Sequence, residues 1–373
     1  MYVAAAAADE AALRDLLGSD PTLASREGGP YRWEPILYLA YARHDSTVSE
    51  AATLTSARLL LDHGADANAG YLWHGLYPPF TALTGALGSA SREHPEHPHG
   101  FALARLLLDA GADPNDGQAL YNRQFEPDDS HLMLLLEHGL GHGDGGPWAR
   151  RFGHTADTPT DMVRGQLWWA IVHDMTARVQ LLVQAGADIR SPYLAPGGRP
   201  SGLGTSHGKS PAQVAAMCGH PDLAALLAKL GSPPPDDDGV DALIAAALAA
   251  DRKGVERLAE HLDEAREQRP ALIVWAASLN RPAAVALLAE LGWDVNARGR
   301  TDIPMEQQWE TALHEAAGSG NAELTRRLLD LGADPDIEDT RFHSTPLGWA
   351  RHFEQPATIH ILEPVTTPSV DPD

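Results

Sequence analysis

The chain has 373 residues, of which 43% are hydrophobic and 21% are charged, the balance of an ordinary soluble globular protein. It carries 28 basic and 51 acidic residues, a net charge of −23, and would repel nucleic acid phosphates and anionic lipid surfaces. We therefore expect neither a nucleic acid nor a membrane partner; the acidity either attracts a basic protein surface or only keeps the chain soluble.

The N-terminal segment predicts a short pair of helices. The sequence VAAAAADEAALRDLL from Val3 is typical of two helices that cap a stack. No Lys or Arg precedes the alanine run, so this segment fits neither a signal peptide nor a membrane span. With Cys218 as the single cysteine, an internal disulfide is excluded and we expect a reducing, cytoplasmic location.

One phrase returns along the chain, and we call it the stop phrase. Its copies are LLLDHGADANA ending at Ala69, LLLDAGADPN ending at Asn115, LLVQAGADIR ending at Arg190, LLAELGWDVNA ending at Ala297 and LLDLGADPD ending at Asp336. Paired leucines end the buried face of a helix, and the glycine after them closes the helix in a left-handed conformation. These glycines are Gly64, Gly111, Gly186, Gly292 and Gly332.

A second phrase, the start phrase, precedes most stop phrases. Its copies are EPILYLA from Glu34, TALTGAL from Thr81, SPAQVAA from Ser210, DALIAAA from Asp241, TALHEAA from Thr311 and TPLGWAR from Thr345. Ser, Thr or Asp followed by Pro or Ala supplies an N-cap and a first helical position, and the small residues after it let a neighbouring helix approach. Each copy therefore predicts the beginning of a helix.

Short helix pairs bounded in this way resemble the ankyrin repeat, whose pattern begins with T-P-L-H and ends with L-L-x-x-G-A-D-x-N. GHPDLAALL from Gly219 and TALHEAAGSGNAELTRRLLDLGADPD from Thr311 match nearly a whole repeat, and the resemblance extends over roughly residues 1–363. It implies an all-α, ankyrin-type helical-repeat solenoid of roughly nine or ten helix pairs. Its continuous core would contain Leu60, Leu107, Leu182, Leu288 and Leu329.

The sequence also predicts how the stack divides. SPPPDDDG, residues 232–239, combines three prolines without backbone donors and three carboxylates that repel one another. We expect an exposed joint there between an N-terminal stack, 1–231, and a C-terminal stack, 240–363, with a flexible tail at 364–373. The alternative is a rigid loop within an unbroken stack.

Several repeats are longer than the family pattern. Gly64 and Gly111 are 47 residues apart, against about 33 for a plain ankyrin unit. Two insertions, 43–55 and 88–100, fall between paired helices. Others fall between a stop phrase and the next start phrase, and we call them fingers: 69–80, 189–209, 297–310 and the shorter 338–344. Insertions of this kind mark one face of a solenoid, often the binding face.

The fingers are rich in Tyr, Trp and Arg, which tend to dominate binding energy. The predicted partner-binding residues are Tyr71, Trp73, His74, Tyr77, Trp168, Tyr193, Arg298, Arg300, Trp309, Arg341 and Phe342. The start-phrase alignment assigns Trp169, Trp275 and Trp349 to packing, whereas Trp168, one position earlier, should face the groove. The alternative is that these loops fold back and cover the groove with their own aromatics.

Other motifs do not support catalysis. GLGTSHGKS from Gly202 lacks the glycine that a phosphate loop needs, because Leu203 stands there, and the prolines in REHPEHPHG from Arg92 favour a solvated loop over a metal site. His220 and His314 occupy family positions with a structural role, in which the histidine hydrogen-bonds to backbone between repeats. Cys218 lies in a small-residue helix without a predicted base, so we expect no catalytic residue, metal or cofactor.

Two functions remain open. The first is a non-catalytic binder, a scaffold, inhibitor or antitoxin-like monomer whose concave groove and fingers grip a protein partner, as the ankyrin resemblance implies. The second is an enzyme or small-molecule receptor whose inserted loops close a pocket over the groove. A pocket lined by Trp73, Tyr77, Trp168 and Tyr193 would favour the second.

Overall fold

A computed structural model describes residues 1–43, 47–88, 96–194, 206–299 and 308–367. These residues are predominantly helical, and their strands form two antiparallel sheets of two strands each. Across these ranges, no helix combines the length and the apolar character that crossing a bilayer requires.

Most of the elements are short helices, and they follow one another along the chain. They are α1 (Tyr2–Ala6), α2 (Glu10–Ser19), α3 (Pro35–Ala40), α4 (Glu50–Asp62), β1 (Gly70–Trp73), β2 (Leu76–Thr81), α5 (Ala82–Leu87), α6 (Gly100–Asp109), α7 (Gly117–Arg123), α8 (Ser130–Glu137), α9 (Gly146–Phe152), α10 (Pro159–Val172), α11 (Thr176–Gln184), α12 (Pro211–Met217), α13 (Pro221–Lys229), α14 (Gly239–Leu248), α15 (Arg252–Arg257), α16 (Leu262–Gln268), α17 (Leu272–Ser278), α18 (Pro282–Glu290), β3 (Arg298–Gly299), β4 (Glu310–Thr311), α19 (Ala312–Gly318), α20 (Ala322–Asp330), α21 (Pro346–His352) and α22 (Pro356–Leu362).

The chain divides into two compact units. The first unit contains residues 1–170 and 177–187, and the second contains 171–176 and 188–373. In the first unit, α3 packs between α1 and α5, and α4 packs between α2 and α6. In the second unit, α19 packs between α17 and α21, and α20 contacts α22. First helices thus contact first helices, and second helices contact second helices, in successive pairs.

The stop phrases end helices as predicted. Each of the five glycines has a φ between 90° and 95°, the left-handed region. After α4, the amide of Ala65 donates to the carbonyl of Leu60 at 3.0 Å, which satisfies a carbonyl that the helix end leaves open. Four of the five predicted core leucines, Leu60, Leu107, Leu182 and Leu288, have 0% exposure.

The fifth core leucine was assigned to the wrong position. Leu329 is half-buried, whereas Leu328 has 0% exposure. Leu328 lies four residues before Gly332, as Leu60 lies four residues before Gly64, so it is the equivalent position on the helix. The neighbouring leucine is rotated by about 100° around the axis and reaches the surface of the helix pair.

The start phrases begin helices at five of the six predicted places. Thr81, Ser210 and Thr345 each accept a hydrogen bond from the backbone amide three residues later. At Thr311, both the hydroxyl and the backbone amide lie within hydrogen-bond distance of His314 Nδ1. The exception is Asp241: α14 begins at Gly239, and Asp238 is its N-cap.

Asparagines of the stop phrases connect successive repeats. Asn68 donates from Nδ2 to the carbonyl of Gly111 at 3.0 Å and accepts from the amide of Asp113 at 2.8 Å. Asn115 makes the same two contacts, with the carbonyl of His142 and the amide of Gly141. A side-chain amide is both donor and acceptor, so one residue satisfies two backbone groups of the next turn.

The Pro/Asp segment 232–239 lies inside the second unit. The Ser232 hydroxyl accepts from the amide of Ala212 at 3.1 Å, and the carbonyl of Pro233 accepts from the hydroxyl of Ser210 at 2.6 Å. Both bonds tie the segment to the start of α12, and α14 beyond it packs on α12. The division of the compact units therefore lies elsewhere, and the exposed joint stays a prediction.

Candidate functional site

The first finger, 69–80, contains an antiparallel hairpin. Strands β1 and β2 pair Gly70 with Thr81, Tyr71 with Phe80, and Trp73 with Leu76. Gly70 lies where a side chain would be crowded, because a Cβ there would be 3.0 Å from the carbonyl oxygen of Phe80 and 3.1 Å from the ring of Trp148. Trp148, on α9, also donates from its indole to the carbonyl of Asn68 at 2.9 Å. Trp148 thus contacts the base of the hairpin and hydrogen-bonds to the chain just before it.

Aromatic rings extend from this hairpin toward the start of α3. Tyr71 stacks on Trp33 with ring centroids 4.5 Å apart, and on Phe80 at 5.4 Å. Trp33 in turn contacts Tyr31 at 4.7 Å and Tyr41 at 5.4 Å. The sequence analysis missed Trp33; its signal was the aromatic pair in YRWEP, directly before the first start phrase.

The apolar side chains at the tip of the hairpin are the most exposed ones in the first finger. Trp73 is 59% exposed and Leu76, its strand partner, is 65% exposed. His74, between them, is exposed as well, while Tyr77 is half-buried against Phe152 with ring centroids 5.3 Å apart. Of the predicted residues in this finger, Trp73 and His74 have exposed side chains, whereas Tyr71 and Tyr77 pack against neighbouring rings.

A second cluster of predicted residues lies in the second unit. Strands β3 and β4 pair Arg298 with Thr311, and Arg298 donates to the carbonyl of Glu338 at 2.9 Å. The guanidinium of Arg341 lies 5.3 Å from the ring centroids of both Trp309 and Phe342. Phe342 is 63% exposed, and Arg341 is exposed beside it.

Asp339 holds this second cluster together. It is 1% exposed, and it accepts hydrogen bonds from the amide of Phe342 at 2.5 Å and from the indole of Trp349 at 3.0 Å. Burial acts to raise the pKa of Asp339, but these hydrogen bonds outweigh it and hold the pKa below its usual value. A charged carboxylate therefore fixes the loop that presents Arg341 and Phe342.

Two of the predicted residues are buried. Trp168 and Tyr193 are 8% and 3% exposed, so both side chains are buried in this structure, and the groove-facing position of Trp168 stays a prediction. Arg300 lies outside the described residues, as do residues 202–205 of the phosphate-loop candidate, Leu203 among them. Trp73, Tyr77, Trp168 and Tyr193 do not line one pocket among those described.

A cleft of about 210 Å³ does lie beside the aromatic rings of the first unit. It is lined by Glu27, Arg32, Trp33, Glu34, Leu37, Gly70, Tyr71, Leu72, Trp148 and Arg151. Burial raises the pKa of Glu34 to about 7, and the carboxylates of Asp66 and Glu27 add to the shift. This carboxyl group is thus poised between its neutral and charged forms near neutral pH.

A larger groove of about 420 Å³ lies in the second unit, next to His220, Asp174 and Arg281. Its lining, as far as the described chain shows it, contains no Trp, Tyr or Phe. His220 Nε2 is 2.9 Å from the carbonyl of Val172, and burial lowers its pKa. His314 Nε2 likewise lies 2.9 Å from the carbonyl of Ser344. Both histidines hydrogen-bond to backbone, as the ankyrin resemblance implies.

The other reactive groups fit structural roles. Burial raises the pKa of the Cys218 thiol to about 12, which leaves it protonated and unreactive. His97, expected in a solvated loop, is instead 4% exposed, and its Nδ1 accepts from the amide of His99 at 3.1 Å. Asp238, Glu260 and His261 come together, and a 3.2 Å contact between His261 Nε2 and Asp238 accounts for the grouping.

Comparison with known proteins identifies one repeat. Residues 308–340 match the family model described as the ankyrin repeat, a segment that begins just before β4 and includes α19 and α20. No curated protein matches the chain. The match covers the segment in which the sequence and the family pattern agree best, from Thr311 to Asp336. The chain therefore contains an ankyrin repeat within a predominantly helical fold, and ankyrin repeats typically bind protein partners.

Proposed function

We propose that this protein is a non-catalytic, monomeric binding module, an ankyrin-type solenoid with elongated fingers that grips a protein partner. A scaffold, an inhibitor and an antitoxin-like binder all fit this description. The observation that carries the proposal is the exposed pair of Trp73 and Leu76 at the tip of a hairpin whose base is fixed. The ankyrin repeat at residues 308–340 supports the same class of function.

The energetics of the hairpin favour binding over self-packing. Trp73 and Leu76 leave more than half of their surfaces in water, although Tyr71 and Phe80, on the same strands, are at least half-covered. A buried tryptophan at an interface contributes roughly 1–4 kcal/mol, and an anchor that is already held in position loses little entropy on binding. A partner that covers the tip would recover this free energy.

The charge of the chain indicates the kind of partner. With a net charge of −23, the body of the protein attracts a basic surface at long range. Such attraction is screened beyond about 8 Å at physiological ionic strength. Raising the salt concentration should therefore slow association more than it speeds dissociation.

Capture from the native host, with mass-spectrometric identification, tests this proposal. The bait proteins are the wild type, Trp73→Ala and Met133→Ala. Met133 is 53% exposed on α8, the second helix of its pair, and is the matched control for the loss of an exposed apolar side chain. We expect one basic protein to be captured by the wild type and by Met133→Ala and lost with Trp73→Ala. Loss with Met133→Ala alone would place the binding surface on the second helices.

A further inference from the structure

The cleft beside Glu34 has the composition of a site for a positively charged side chain. Its lining includes the rings of Trp33, Tyr71 and Trp148 together with Glu34 and Leu37. The rings and the Leu37 side chain give apolar surface against which an alkyl chain can pack. The Glu34 carboxyl group in the same lining adds a full negative charge when it is ionised.

The protein leaves the charge of Glu34 uncompensated. Asp66 and Glu27 are the charged groups that shift its pKa, and both are negative. Arg32 and Arg151 line the cleft, yet neither is among the charges that act on Glu34, and the guanidinium of Arg151 instead lies 5.1 Å from the ring centroid of Trp148. A cation in the cleft would supply the missing positive charge.

The hydrogen bonding of Glu34 favours an ammonium over a guanidinium. The backbone amide of Asp66 already donates to this carboxyl group, whereas Oε2 is buried and has no hydrogen-bond partner within the described chain. Arginine binds a carboxylate best through both oxygens at once, but lysine needs only one. The cleft also opens beside the hairpin that we propose as the partner-binding finger.

We propose that this cleft binds a lysine side chain of the protein partner, with the alkyl chain against Trp33 and Tyr71 and the ammonium beside Glu34. The assignment rests on the protein-binding function proposed above and adds the chemistry of one contact. Lysine suits the site because its four-carbon stem packs on apolar surface while its charge stays at the end.

Fluorine NMR of the full chain, labelled with 5-fluorotryptophan and titrated with Nα-acetyl-lysine amide, tests this assignment without the partner. The Trp33 resonance is assigned with Trp33→Phe. We expect the Trp33 signal to shift on titration, and Glu34→Gln to weaken binding roughly fivefold, the loss of one partly exposed ion pair. Glu50→Gln, which removes the same charge from the exposed first turn of α4, should bind as the wild type does.

Two further ligands and the pH sharpen the test. The norleucine derivative, which has the alkyl stem without the ammonium, should bind more weakly, and so should the arginine derivative. Affinity for lysine should rise between pH 6 and pH 8 as Glu34 ionises, and this rise should vanish in Glu34→Gln. Glu27, Arg32 and Arg151 are the other charged residues that line this cleft, and Asp66 acts on Glu34 from outside its lining.

Some results would overturn the assignment. They are equal affinity for the norleucine derivative, tighter binding of the arginine derivative, or unchanged lysine affinity in Glu34→Gln. Any of these results leaves the partner-binding proposal intact if the Trp73→Ala bait no longer captures the protein that the wild type captures. The converse outcome is also distinguishable. If lysine binding depends on Glu34 but the partner binds Trp73→Ala as well as the wild type, the lysine site stands and the finger is not the anchor.

Discussion

Two adjacent leucines in the last stop phrase give a sharp test of the repeat register. Leu328 is fully buried, whereas Leu329, one residue further along α20, is half-buried. Replacing leucine with alanine removes three carbons, which at about 0.8 kcal/mol each gives about 2.4 kcal/mol of lost burial. The cavity that remains adds to this, so Leu328→Ala should lower the free energy of unfolding by about 3 kcal/mol, within the usual range of 2–5 kcal/mol.

Leu329→Ala is the matched control, since it is the same chemical change on the same helix. It should cost about 1 kcal/mol or less, because part of the side chain already contacts water and little cavity forms. Urea unfolding followed by circular dichroism measures both changes, and hydrogen exchange of the α20 amides shows whether the loss is local. Equal costs, or a larger cost for Leu329→Ala, would refute the register.

Three further predictions concern the backbone, acid stability and the predicted joint. Gly64→Ala should destabilise the protein by about 1–2 kcal/mol because the φ of Gly64 is 94°. Gly18→Ala is the control: it lies within α2, an added Cβ has as much free space as at Gly64, and it should stabilise the protein by about 0.5–1 kcal/mol. Thermal unfolding that ranks the two variants in the reverse order would contradict the role of Gly64 in ending its helix. Burial, aided by the positive charges of Arg178 and Arg123, lowers the pKa of His131 to about 3. The unfolded chain therefore takes up the proton first, and the free energy of unfolding falls as the pH drops below about 6.5. His131→Leu should lose less of this free energy than the wild type between pH 6.5 and pH 4, and parallel stability curves for the two proteins would exclude the contribution. An Asp-directed protease should cut first within 232–239 if that segment is a joint, and first cuts elsewhere would favour a rigid loop.

Most of the repeat boundaries could be predicted because they depend on local chemistry. Gly64 closes its helix by its own backbone freedom, and Ser210 caps its helix with its own side chain. The start at Asp241 was misplaced because Asp238, three residues earlier, can also cap a helix, and the sequence alone does not choose between the two aspartates.

The exposure of the candidate binding residues was harder to predict because it depends on contacts that are distant in sequence. Trp73 and Trp168 look alike in a sequence, yet one is 59% exposed and the other 8%. The ring of Trp33 meets that of Tyr71 from a segment nearly forty residues earlier, so no local pattern connects them.

Arg178 shows the same limit for a charged residue. It is 1% exposed, with Asp129 at 2.5 Å and the carbonyl of Gln124 at 2.7 Å. The only local signal was its spacing of four residues from the buried Leu182 on α11.

The affinity of Trp73→Ala for the captured partner tests the central claim most directly. Titration calorimetry of the wild type, Trp73→Ala and Met133→Ala against the purified partner measures it. The proposed function predicts that Trp73→Ala loses roughly 1–4 kcal/mol of binding free energy, while Met133→Ala stays within about 0.5 kcal/mol of the wild type. Wild-type affinity in Trp73→Ala would contradict the claim that this hairpin grips the partner.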